Sequence, residues 1–176
     1  MARYVVLLRG INLGRARQVG MADLRETLTG QGHAGVRTHL RSGNVLLDSD
    51  LGEDELVREV EEAVRARFGF DVPVVVRTRD ELAAVVAADP FAGVATDPAR
   101  YTVTFMVRPP EPGRVAALPP AELGAYRVVG RELFLWLPDG IADTPLASWR
   151  WDTLLAVPGT TRNWNTVTKL AELAAV

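Results

Sequence analysis

Residues 72–82 read VPVVVRTRDEL, and the fold turns on how this stretch is read. The valines leading to Arg77 are β-branched and predict a strand. Thr78 and Glu81 then form a T-x-x-E capping box, so a helix starts immediately and runs until Pro90 stops it. Val74, Val75 and Val76 are apolar whichever way the strand faces, the mark of a strand buried on both sides.

Towards the N-terminus, Leu56, Val57, Val60, Ala63, Val64 and Phe68 recur at helical spacing, and Gly69 closes that helix. Glu61 with Arg65, and Arg58 with Glu62, stand at i,i+4 and predict a solvated face. Residues 36–40 alternate and 45–47 are apolar, with RSGN at 41–44 as a hairpin turn between them. Met21, Leu24 and Leu28 predict a further helix with Gly30 as its stop, and residues 3–8 a first strand leading into RGINLG. Residues 1–90 therefore read βαββαβ plus a trailing helix, a ferredoxin-like arrangement. Its helices cover one sheet face. The other face, equally apolar, is expected to meet the second half of the chain or another subunit. The central strands carry aliphatics, with Tyr4 at one edge, which weighs against an RNA-recognition module with exposed stacking rings.

Downstream, DPFAGVATDPAR at 89–100 carries Pro and Gly, so residues 91–100 are expected to link the halves. Strand signals return at 101–107, a short helix at 114–118, and a hairpin at 126–137 around Gly130 and Arg131. Thr144-Pro145 predicts a helix to about residue 156, enclosing the WRW of 149–151. The final helix is placed at 162–174, so the second half, 101–176, is expected to end in a helix without a last strand. The fold class is α+β, with two ferredoxin-like (βαββαβ-type) halves packed together and a C-terminal helix.

Composition narrows the function. At 176 residues and 48% hydrophobic, the chain can bury a core. No apolar run approaches the roughly 18 residues of a membrane span, and no membrane partner is expected. Cysteine is absent, which excludes disulfides and thiolate chemistry. The chain opens directly on YVVLLRG without a signal-peptide pattern, and a cytoplasmic protein is expected. A net charge of −2 argues against binding nucleic acid over the whole surface. Of the 20 basic residues only Lys169 is lysine, either a chance survivor of a bias towards arginine or the mark of a position where arginine does not serve.

GQGHAG at 30–35 matches G-x-G-x-x-G in letters, but it follows a helix and precedes a strand, the reverse of a dinucleotide site. No Walker loop, H-E-x-x-H or G-x-S-x-G occurs. His33 and His39 are too few for a histidine-rich metal site. No metal and no cofactor are expected. WRW could stack on bases, but within a helix it favours packing.

Three polar islands remain. Arg9 and Asn12 follow the first strand. Arg41, Ser42 and Asn44 occupy the hairpin tip. TTRNWNTVTKL, 160–170, brings Arg162, Asn163, Asn165 and Lys169. With a helix from 162, its apolar side carries Trp164, Val167, Leu170, Ala171 and Ala174, and Asn165 and Lys169 lie one turn apart opposite. Caps, an arginine fork and a helix N-terminus outline an anion receptor. Caps and turns alone account for the same residue types.

LLRGINLG (7–14), MADLR (21–25), RSGN preceded by VRTHL (36–40) and TTRNWNTVTKL resemble, in the same order, the domain-of-unknown-function 1697 family of bacterial proteins. The resemblance implies small α+β proteins with ferredoxin-like halves. It carries no activity and no catalytic residues. Family members have an extra glycine and basic or polar residues after the first motif, where this chain has RARQV (15–19).

The sequence names no reaction. It predicts a small anionic ligand, phosphate- or carboxylate-bearing and including nucleotides, held between the halves by Arg9, Asn12, Arg41, Ser42, Asn44, Arg162, Asn163, Asn165 and Lys169. The alternative is an interaction module without catalysis, homodimeric or RNA-contacting. A third reading makes the islands purely structural.

Overall fold

A computed structural model describes residues 1–176. The chain divides into two compact units, Met1–Ala84 with Leu170–Val176, and Val85–Lys169. No helix is long and apolar enough to cross a membrane.

The first unit runs β1 (Ala2–Leu8), α1 (Met21–Gly30), β2 (Ala34–His39), β3 (Asn44–Ser49), α2 (Glu53–Phe68), β4 (Val74–Thr78) and the start of α3 (Arg79–Ala88). Its strands pair antiparallel in the order β2-β3-β1-β4. Val6 lies opposite Val45 and Val76, and Tyr4 opposite Leu47. That register lines Tyr4, Val6, Leu8, Val45, Leu47, Val74 and Val76 on one face, where they pack with Leu24, Leu28, Leu56, Val60 and Val64 of α1 and α2. The alternate residues Val5, Leu7, Leu46 and Val75 are buried too, as expected for strands apolar on both sides. The capping box forms as read. Glu81 accepts from the Thr78 backbone N–H at 2.8 Å, and the Glu81 N–H donates to Thr78 Oγ1 at 3.2 Å. Gly69 closes α2 at φ 84°.

The second unit contains β5 (Tyr101–Met106), α4 (Pro112–Ala116), β6 (Ala125–Val129), β7 (Glu132–Trp136), a 3-10 turn (Pro145–Ser148), α5 (Trp151–Leu155) and β8 (Gly159–Asn163), then α6 (Trp164–Ala174) begins. Its order is β6-β7-β5-β8, the first sheet's order repeated. Met106, Leu133, Leu135, Leu146, Leu155 and Val157 form one core cluster. On the alternate positions, Tyr101 stacks on Trp164 with centroids 4.6 Å apart, and Phe134 lies 6.3 Å from Tyr101.

Four local expectations need correction. Residues 159–163 form β8, not the first turn of a helix, so the second half does end in a strand followed by a helix. Thr160, Thr161 and Arg162 pair with Phe105, Thr104 and Val103, which gives this β-branched run a ladder that local capping cannot match. The helix expected at 145–156 is broken. Trp149 is extended (φ −62°, ψ 138°), and Trp149, Trp151 and Tyr126 pack together, with Trp151 Nε1 donating to Leu146 O at 2.9 Å. Gly30 remains helical, and the left-handed turn after α1 falls at Gly32 (φ 96°). Glu61 does not pair with Arg65. Its carboxylate accepts the Val74 N–H at 3.0 Å, tying α2 to the start of β4. The rings of WRW are part of the packing, as expected, although the continuous helix from which that was read does not form.

Candidate functional site

The first two polar islands meet at one end of the first unit's sheet. β1 ends at Leu8, whose N–H donates to Gly43 O at 2.8 Å, and the Arg9 N–H donates to Pro73 O at 2.9 Å. The chain then makes a wide loop, residues 9–20, before α1. Asn12 holds that loop to the β2–β3 turn. Its Nδ2 donates to Val19 O at 2.9 Å and to Arg41 O at 2.7 Å, and its Oδ1 accepts the Val19 N–H at 2.9 Å. Asn12 sits at φ 55°, a left-handed conformation that asparagine tolerates better than most side chains.

Further bonds from exposed side chains brace the loop. Arg17 donates to Gly10 O at 3.0 Å and Asp71 O at 2.7 Å, and its guanidinium lies 5.0 Å from the Phe70 ring centroid. Gln18 Nε2 donates to Gly14 O. The turn is equally constrained. Asn44 is fully buried and donates to His39 O at 2.8 Å and Ser42 Oγ at 3.0 Å. Gly43 has φ 88°, and a Cβ there would lie 2.8 Å from Leu8 Cβ and from Ile11 Cδ1. Non-glycine residues with positive φ concentrate here: Asn12, Arg17 and Leu40, with Ala156 the one outside. Each is disfavoured by about 1 kcal/mol or more.

Arg9, Arg15, Arg41 and Ser42 are exposed around this latched pair of segments. Arg41 reaches Gln18 Oε1 at 3.3 Å, and Arg17 is engaged with carbonyls. Arg9, Arg15, Arg17 and Arg41 lie on these segments, and the two neighbouring carboxylates face other arginines, Asp23 beside Gly20 pairing with Arg67 at 2.6 Å and Asp71 lying 4.0 Å from Arg65.

The third group belongs to β8 and α6. Arg162 is 8% exposed and donates to Thr160 Oγ1 and Thr161 O, both at 2.9 Å. Burial pushes its guanidinium down to about 10, so it stays charged at neutral pH. Asn163 is the N-cap of α6, its Oδ1 accepting the Thr166 N–H at 3.0 Å, and the Trp164 N–H donates to Pro98 O at 3.2 Å. Two first-turn donors are thus occupied by protein groups. Asn165 and Lys169 are exposed, one turn apart.

The sequence reading passed over Arg77. It is 1% exposed on β4 and lies opposite Val5, as Arg162 lies opposite Val103 on β8. Each arginine donates to the carbonyl before it, Arg77 to Val76 O at 2.8 Å, and each precedes a helix cap, Thr78 or Asn163. The signal was present: Arg77 alternates with Val75 on a strand with no polar face. A cavity of about 490 Å³ at the other end of the first sheet is lined by Arg3, Asp48, Thr78, Arg79 and Asp80 among others. Its charges pair with one another, Arg3 with Asp48 at 2.6 Å and Arg79 with Asp80 at 3.1 Å. No cluster of three or more His, Asp or Glu is arranged to hold a metal ion.

Residues 1–134 match the family model described as a protein of unknown function (DUF1697), and the chain belongs to that family. TTRNWNTVTKL lies beyond the matched span. Among solved structures, the conserved bacterial protein SP0830 from Streptococcus pneumoniae is similar, with a TM-score of 0.79 and 23% identity over 98% of each chain. At that identity the likeness speaks for the fold. None of the curated proteins matches.

Proposed function

We propose that this DUF1697 family member binds a phosphate- or carboxylate-bearing group at the arginine rim of its first unit. The observation that carries the reading is the Asn12 amide, which bonds the 9–20 loop and the 40–44 turn into one frame. Arg9, Arg15 and Arg41 project from that frame, and a planar guanidinium suits two-point contact with phosphate or carboxylate. Because the frame is held before any ligand arrives, binding orders few backbone residues. An RNA backbone would offer the same phosphates. Stacking rings are missing from the exposed positions of the loop and turn, which favours an anionic group over splayed bases.

The test is titration of pyrophosphate into the wild-type chain and into Arg9→Ala/Arg15→Ala/Arg41→Ala by isothermal calorimetry. The side chains removed are exposed, so stability should change little. Affinity at least tenfold weaker in the variant is expected. Equal affinity in both proteins refutes the assignment.

A further inference from the structure

The rim carries more than charge. Leu13 is 86% exposed and Leu40 is 55% exposed. Each adjoins a latched residue, Asn12 or Arg41, whose side chain and carbonyl meet at 2.7 Å. Leu40 is also held at φ 61°, where a leucine is strained. A scattered exposed leucine needs no explanation. Leu13 stands two residues before Arg15 and Leu40 directly before Arg41, so each of the two segments tied by Asn12 presents an exposed leucine, the apolar point, beside exposed arginines, the cationic ring, and Leu40 does so from a strained backbone. A small soluble anion uses the ring and leaves the point in water. An RNA strand uses the ring and finds no ring system to stack on. A bilayer surface uses both, because anionic headgroups meet the arginines while leucines enter the headgroup–acyl boundary.

We infer that the partner of the Leu13–Leu40 tip and the Arg9, Arg15, Arg41 rim is the surface of an anionic membrane, on which the chain lies peripherally. The inference rests on the anion-binding reading and names the source of the anion. The contact is reversible and salt-sensitive. Each arginine near an anionic surface strengthens it about fivefold, and burying each leucine adds about tenfold or more.

Cosedimentation with vesicles tests it, using phosphatidylcholine alone and equal parts phosphatidylcholine and phosphatidylglycerol. The chain should pellet with the mixed vesicles, not with pure phosphatidylcholine, and should be released by salt. Leu13→Ser/Leu40→Ser should weaken vesicle binding about a hundredfold or more while leaving pyrophosphate affinity unchanged. Leu13→Ser alone, at a position almost wholly in water, checks the same point without touching Leu40. Retention of pyrophosphate binding with no vesicle binding overturns the membrane assignment and leaves the anion site standing. Loss of both overturns both. Vesicle binding that ignores the leucine substitutions, or salt-sensitive binding of polyuridylate without vesicle binding, also overturns the inference.

Discussion

Replacing Asn12 by alanine tests the latch most sharply. The substitution removes three hydrogen bonds, two to Val19 and one to Arg41 O. At about 1 kcal/mol each, their loss amounts to about 3 kcal/mol, reduced where the Arg41 bond meets solvent. Alanine at φ 55° adds about 1 kcal/mol of backbone cost. The expected destabilisation is about 3 kcal/mol. Asn12→Gly loses the same bonds without the backbone cost, and should be less destabilised by about 1 kcal/mol. Urea denaturation of the three proteins gives the comparison, with amide exchange at residues 9–20 as the local readout. Both variants should accelerate exchange in the loop before they affect β1. An Asn12→Ala protein within about 0.5 kcal/mol of wild type would refute the latch, since a loop with no latch to lose pays only surface-substitution costs.

Three further substitutions follow from the same geometry. Gly43→Ala should destabilise by about 2 kcal/mol or more, since its Cβ would meet Leu8 and Ile11 at 2.8 Å in a positive-φ backbone, and a thermal melt reads the loss. Thr78→Ala should cost about 1 kcal/mol by urea denaturation, because Thr78 Oγ1 caps the Glu81 N–H. Asp48→Asn should lower stability by about 1 kcal/mol at pH 7, because it removes the charge and one of the two acceptors that Arg3 engages. The Arg3 guanidinium holds the Asp48 carboxyl below the usual carboxylate range, so the unfolded chain takes up this proton first. The pair's contribution is therefore complete above the unfolded value near 3.8 and fades as pH falls through the folded one, and wild type and Asp48→Asn should converge in strong acid.

Much of the fold was legible because local chemistry and burial agreed. Thr78 and Glu81 read as a capping box and form one, and Gly69 reads as a stop and is one. The doubly apolar strands announced two buried sheet faces. β8 was missed because Thr, Thr and Asn serve strands and caps alike, and only the β5 ladder decides between them. The comparison that could have exposed it is internal: VRT before α3 and TRN before α6 share a strand arginine followed by a cap. At the candidate site, sequence supplied the residue types but not the wiring. Asn12 and Arg41 are 29 positions apart, and no local pattern shows that one side chain grips the other's carbonyl. Leu13 and Leu40 drew no notice because Leu13 read as part of the RGINLG turn and Leu40 as the last residue of an alternating strand, whereas β2 ends at His39 and leaves Leu40 in the turn.

The most direct test of the account is a ¹H–¹⁵N spectrum of the chain titrated with pyrophosphate. Saturable shifts should gather at the amides of residues 9–20 and 40–44 and should vanish in Arg9→Ala/Arg15→Ala/Arg41→Ala. Shifts spread evenly over the surface, or confined to residues outside those segments, would contradict it.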